Sequence, residues 1–237
     1  MEPDSTSPVP LALNAPLALN ATERRILGVL IEKGLTTPEY YPLSVNALLA
    51  GCNQKNNRDP VTALALDTVE AGLKSLEQKG LVLSVIGDSG RVVRWRQELP
   101  RKLALDVAEL AVLGELLLRG AQSEGELRGR ANRMRPIESL EALRALLSRL
   151  AARTPTLVVR LSPEGSARGV RWTHALYPQE QLHAVIEAER SAAPAVNANA
   201  VASDAGGDSE SGAELVRRIE QLEARVALLE AERATRR

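Results

Sequence analysis

Six polar side chains in a row, Asn53-Gln54-Lys55-Asn56-Asn57-Arg58, closed by Asp59-Pro60, are the stretch best equipped to meet a ligand. Amides and cations side by side can hydrogen-bond phosphate oxygens and base edges. The same side chains also satisfy loose backbone groups in a solvated turn. Both readings stand on the residues alone. Lys55→Ala with Arg58→Ala is expected to weaken ligand binding and leave stability within about 1 kcal/mol, as surface changes do, a drop well beyond that marking the run as structural. Other basic positions join the set. Arg91, Arg94 and Arg96 fall on one strand, where they serve solubility or phosphate contact. Lys74 lies on the outward side of a helix. Arg128 and Arg144 lie in an arginine-rich stretch with Arg130, Arg133, Arg135 and Arg149. The candidate contacts to nucleic acid or a partner are therefore Asn53, Gln54, Lys55, Asn57, Arg58, Lys74, Arg91, Arg94, Arg96, Arg128 and Arg144.

Catalysis finds less support. No metalloprotease helix, phosphate-binding loop, nucleophile elbow or dinucleotide fingerprint occurs. The single cysteine and two histidines exclude a disulfide within the chain and a cysteine-cluster zinc site. Cys52, at a helix end, reads as packing, with a thiol activated by Lys55 as the alternative. His174 reads as a satisfied polar residue in a strand. No catalytic, cofactor or metal-binding residue is assigned, no cofactor is expected, and the chain is expected not to be an enzyme. A net charge of zero over 237 residues excludes a uniformly basic nucleic-acid binder but leaves local patches open. No apolar run is long enough to span a membrane, and the acidic, proline-rich start is unlike a signal peptide. The expected address is the cytoplasm.

The elements that must position these residues follow from caps and periodicity. Residues 1–18 read as disordered. Asn20-x-x-Glu23 opens a helix with Ile26, Leu27, Leu30 and Ile31 inward and Gly34 as its stop. Ser44–Cys52 is a second helix, in which Asn46 is expected to bond the long turn that follows. Asp67-x-x-Glu70 opens a third, with Val69, Leu73 and Leu76 inward. The strands Leu81–Ile86 and Arg91–Arg96 form a hairpin, with Val93 and Trp95 facing the core. Helix, helix, helix, hairpin is the order of a winged helix-turn-helix domain.

The pattern then recurs. Asn20, Glu23, Gly28 and Gly34 find counterparts in Asp106, Glu109, Gly114 and Gly120. Ser123-x-x-Glu126 boxes another second helix. Glu138–Ala152 is another third, with Leu140, Leu143, Leu147 and Leu150 inward. Leu157–Leu161 and Val170–His174 make another hairpin, so that Val170-Arg171-Trp172 echoes Val93-Arg94-Trp95. The polar run has no counterpart and reads as an insertion in the first copy. A duplicated fold explains this better than chance.

The expected class is mainly α with small β-hairpins. It comprises tandem winged helix-turn-helix domains at 19–100 and 101–180, a short helix and flexible linker at 181–212, and a C-terminal coiled-coil helix at 213–237. In that last segment Leu215, Ile219, Leu222, Val226 and Leu229 make a heptad seam suited to a parallel homodimer, or to an amphipathic helix folding back on its own domain.

The chain also resembles the YceH-like family of uncharacterised bacterial proteins over roughly residues 20–177. The resemblance rests on Leu35-Thr36-Thr37-Pro38, on Tyr41-Pro42-Leu43-Ser44-x-Asn46-Ala47-Leu48, and on Cys52-Asn53-Gln54-Lys55-x-Asn57-Arg58-x-Pro60. In the second copy it rests on Gln122-Ser123-x-Gly125-Glu126-Leu127-Arg128. It implies tandem winged helices and no established activity. Trp95 and Trp172 stand where tyrosine is expected from the family pattern.

Two functions remain open. One is binding to double-stranded DNA, as a transcriptional regulator dimerised through its tail. The other is a protein–protein adaptor, which suits a third helix offering Asp67, Thr68, Glu70 and Ala71 and only Lys74 and Gln78 as groove-reaching groups.

Overall fold

In the computed structural model of the protein, residues 17–86, 92–163, 165–166 and 169–192 are described. The expectations for residues 1–16, for Arg91, and for the heptad seam at Leu215, Ile219, Leu222, Val226 and Leu229 lie outside them.

Helix α1 (Ala21–Thr36) starts where Asn20 caps it. The Asn20 side chain accepts from the Glu23 N–H at 2.9 Å, and the Glu23 carboxylate accepts from the Asn20 N–H at 2.8 Å. Gly34 does not end this helix, which continues to Thr36. It lies beside the Tyr41 ring, which a Cβ would meet at 3.4 Å, an ordinary contact. A 3-10 turn at Pro38–Tyr40 leads to the short strand β1 (Leu43–Ser44), and Ser44 caps α2 (Val45–Cys52). Helix α3 (Leu66–Gln78) starts earlier than expected. Its N-cap is Ala65, with no side-chain hydrogen bond, while the Asp67 carboxylate takes the Thr68 N–H at 2.7 Å. Strands β2 (Val82–Ile86) and β3 (Val93–Gln97) follow, then a short helix α4 (Leu99–Leu103).

The second half repeats this plan. Helix α5 (Val107–Arg119) opens on the Asp106–Glu109 box and closes at Gly120, whose φ of +71° favours glycine. Strand β4 (Gln122–Ser123), α6 (Glu124–Ala131), α7 (Leu140–Ala151), β5 (Val158–Arg160) and β6 (Arg171–His174) complete it. Helix α8 (Gln179–Ala192) ends the described chain. The cap of α7 is Ser139. Each half thus carries a three-stranded antiparallel sheet with its last strand central, in the orders β1-β3-β2 and β4-β6-β5. Trp95 sits opposite Leu43 and Ser84, and Trp172 opposite Gln122 and Arg160, so the two tryptophans hold equivalent central places.

Two inward expectations need correction. Val93 is 49% exposed, because it pairs with Ile86 at the far end of the hairpin, beyond the reach of the core. In α7 the inward set is Leu143, Leu146, Leu147 and Leu150, and Leu140 at the first turn is only half-buried.

The core is continuous across the halves because α1 and α5 cross closely. Every residue from Glu23 to Glu32 and from Glu109 to Leu118 is buried, as on helices packed on all sides. The duplicated glycines explain the approach. A Cβ on Gly28 would lie 2.9 Å from the Leu118 side chain and 3.2 Å from Leu117. A Cβ on Gly114 would lie 2.6 Å from Ile31. Gly28 and Gly114 hold matching places in the repeat, as do Ile31 and Leu117. The seam is therefore a crossing of one helix with its own duplicate.

Candidate functional site

The polar run leaves α2 at Asn53 and lies against the second half. The Asp59 N–H donates to the Leu118 carbonyl at 3.0 Å, and the Arg119 guanidinium donates to Asn57 Oδ1 at 3.1 Å. Asn57 adopts φ +58°, a left-handed turn that asparagine tolerates. Arg58 then turns inward. Its guanidinium is fully buried and donates to the Glu32 carboxylate at 2.5 and 3.1 Å, to the Gly51 carbonyl at 3.0 Å and to Gln54 Oε1 at 2.8 Å. From the second half Arg133 reaches the same Glu32 at 2.5 Å and Glu115 at 2.9 Å. Arg119 Nε lies 3.1 Å from the other Glu115 oxygen, out of line for a hydrogen bond.

Two buried carboxylates and three guanidiniums thus form one chain of charge from Gln54 across the seam to Arg119. Burial is the largest influence on Glu32 and pushes its pKa up. The Arg58 hydrogen bonds and charge, then the charges of Arg133 and Lys33, outweigh it and hold the carboxyl below the usual range.

Arg58 is therefore a correction to the candidate contacts. It is shut off from any ligand by the pairing it makes. Asn53 is likewise engaged: its side chain accepts from the Leu64 N–H at 2.7 Å and donates to the Leu64 carbonyl at 2.9 Å, which fastens the long connection to the end of α2. Asn46, expected in that role, is exposed and makes no hydrogen bond to the turn among the described residues. Gln54 and Asn57 hold neighbours of the seam. Lys55 remains exposed.

The other candidates are dispersed. Lys74 is exposed on α3. Arg94, on β3, donates to the Pro42 carbonyl at 3.0 Å, and Arg96 pairs with Glu98 at 2.9 Å. Arg128 is tied to the carbonyls of Ile137 at 3.0 Å and Glu138 at 2.7 Å. Arg144 pairs with Glu124 at 2.8 Å. The neighbouring arginines behave alike: Arg130 meets Glu126, while Arg149 and Arg153 share Glu109. The basic stretch of the second half is largely neutralised by its own carboxylates. The Cys52 thiol is buried, which pushes it up to about 12 and leaves it un-ionised near neutrality.

Glu32, Glu115 and Asn132 do not stand out in the sequence reading. Asn132 repeats the role of Asn53, accepting from the Ile137 N–H at 3.0 Å just after α6. The signal was present: each asparagine directly follows a second helix. Among the described residues no group of three or more histidine, cysteine or acidic side chains could hold a metal ion. No described helix is long and apolar enough to cross a membrane.

The chain as a whole is similar to several known proteins. A UPF0502 protein of Geobacter sulfurreducens is 48% identical over 178 residues, covering 75% of this chain and 80% of that one. One of Geotalea daltonii is 51% identical over 168 residues, covering 71% and 77%. One of Koribacter versatilis is 48% identical over 162 residues, covering 68% and 75%. A family model described as protein of unknown function DUF480 matches residues 19–167, from the α1 cap to the second hairpin. The duplicated seam and its buried charges lie inside that span, and the chain belongs to the DUF480 family, whose relatives here carry the UPF0502 name.

Proposed function

We propose that the protein is a non-catalytic docking module of the cytoplasm, built from two winged-helix units and engaging a protein partner through its first hairpin. The succession helix, short strand, helix, helix, two strands, used twice, supports the winged-helix reading. One observation carries the docking reading. The cross-strand pair Ile86–Val93 is 73% and 49% exposed, with Leu83 and Val92 also exposed nearby, on a hairpin whose strand β2 lies at a sheet edge. Exposed β-branched pairs on an edge strand suit addition of a partner strand. Arg94 on the central strand, which pairs with no carboxylate among the described residues, favours a partner segment that alternates apolar with acidic residues. Pairing of two copies through Leu215, Ile219, Leu222, Val226 and Leu229 belongs to the same proposal. Sedimentation of the chain with and without residues 213–237 tests it, a dimer being expected only with them.

The docking test is capture from nuclease-treated bacterial lysate, comparing the wild type with Ile86→Asp/Val93→Lys. A partner retained by the first and lost by the second is expected. Equal retention by both ends the reading.

A second reading, contact with duplex DNA, is favoured by the exposed Thr68, Lys74 and Gln78 on α3. It calls for retention on mixed duplexes at low salt that weakens steeply as salt rises. The ion-paired arginines of the second half favour the docking reading over it.

A further inference from the structure

A cavity of about 140 Å³ opens at the seam, between the start of α1, residues 59–64 of the long connection, and Leu117, Gly120, His174 and Tyr177 of the second half. Two arginines face it, Arg24 and Arg25, and they are only 7% and 5% exposed. Among the described residues neither pairs with a carboxylate. Arg24 donates to the Leu19 carbonyl at 2.5 Å and to Gln181 Oε1 at 3.1 Å, and lies 4.4 Å over the Tyr177 ring. Arg25 gives one nitrogen to the Pro60 carbonyl, and its Nη1 is buried with no partner at all.

Every other strongly buried guanidinium or carboxylate among the described residues is matched by opposite charge, as the Glu32–Arg58–Arg133–Glu115 chain shows. A buried cation without an anion costs several kcal/mol, and a guanidinium edge left without an acceptor adds to it. Two such cations share the cavity wall with a single carboxylate, that of Asp59, which leaves the site one counter-ion short.

We infer that this cavity binds a small organic carboxylate, with its oxygens against the Arg24 and Arg25 guanidiniums and its hydrocarbon body among Leu64, Leu117 and Pro60. The fork of an arginine matches a carboxylate in two parallel hydrogen bonds. The volume is close to that of cavities which take up one benzene, so the body has a ring or a short branched chain. Asp59 in the wall disfavours a doubly charged phosphate and leaves a monoanion as the better fit. The site lies apart from the docking hairpin and does not depend on the docking reading.

Thermal melting of the full chain tests it, in a zwitterionic buffer with sodium chloride held constant. Sodium benzoate and sodium 3-methylbutanoate are titrated against benzamide and inorganic phosphate. A saturable rise in Tm of about 2–4 °C or more with at least one carboxylate is expected. Benzamide and phosphate are expected to give no rise beyond matched salt. Arg25→Met, which removes the fork, is expected to abolish the shift. Leu64→Trp, which fills the cavity and keeps the fork, is expected to abolish it too. The inference is overturned if neither carboxylate raises Tm. It is equally overturned if benzamide or phosphate does as well as they do, or if a folded Arg25→Met or Leu64→Trp keeps the full shift. The wild-type comparison decides alone should either variant fail to fold.

Discussion

Arg58→Ala removes a guanidinium that serves Glu32, Gln54 and the Gly51 carbonyl at once, and leaves Glu32 to Arg133 and the more distant Lys33. A cost of about 3–5 kcal/mol is expected, the range for stranding one member of a buried pair. Lys55→Ala, three residues earlier and exposed, should change stability by less than about 0.5 kcal/mol. Denaturant midpoints of the two single variants check this. The expectation that both behave as surface residues is overturned at Arg58 because a polar run shows which groups can hydrogen-bond, not which way they turn. The acceptor for Arg58 is a glutamate 26 residues away, on a helix whose other side is apolar.

His174 offers a pH test. It is fully buried, stacked on Tyr177 at 4.0 Å, and accepts from the Leu176 N–H through Nδ1. Burial, with the Arg24 charge adding to it, lowers its pKa from 6.5 to about 3. The folded value lies below the unfolded one, so the unfolded chain takes up the proton first. Stability should therefore fall as pH drops from about 6.5, by about 1.4 kcal/mol per unit for one proton. His174→Gln should flatten that slope between about pH 6 and 5, before carboxylates titrate. Glu32 acts lower: its contribution is whole above the ordinary carboxylate value and is lost as pH falls through its depressed one.

At the level of elements, the glycines separate into two kinds. Gly114 lies in the α1–α5 crossing, where a Cβ would stand 2.6 Å from Ile31. Gly129 lies in α6, where a Cβ would meet nothing within 4 Å. Gly114→Ala should cost about 1–3 kcal/mol by overpacking. Gly129→Ala should gain about 0.5–1 kcal/mol from helix propensity. Thermal midpoints of the two variants are expected to move in opposite directions. Much of this scale was legible. The boxes Asn20–Glu23, Asp106–Glu109 and Ser123–Glu126 all form, because each needs only groups three residues apart. The repeat of Gly28 in Gly114 was also visible. Its use was not, since a crossing between two helices leaves no periodic mark in either. Strands β1 and β4 are too short to show alternation, and they exist because β3 and β6 offer them free edges.

Over the whole molecule, a single hydrophobic cluster runs from Leu19 to Leu176 through both halves. Such a core should melt in one cooperative step rather than two. The two tryptophans allow a direct check, one in each sheet. Trp95→Phe and Trp172→Phe leave one fluorescent reporter per half, and each reporter's midpoint should coincide with that of far-ultraviolet circular dichroism on the same variant. Divergent midpoints would show halves that unfold independently. The α1–α5 crossing has one more consequence. It joins duplicated units face to face, as two subunits meet in a symmetric pair, and Ala104, at the junction between α4 and α5, is exposed. A chain cut after Ala104 should yield two fragments that recognise each other from solution, with the polar run of one clasping Arg119 of the other.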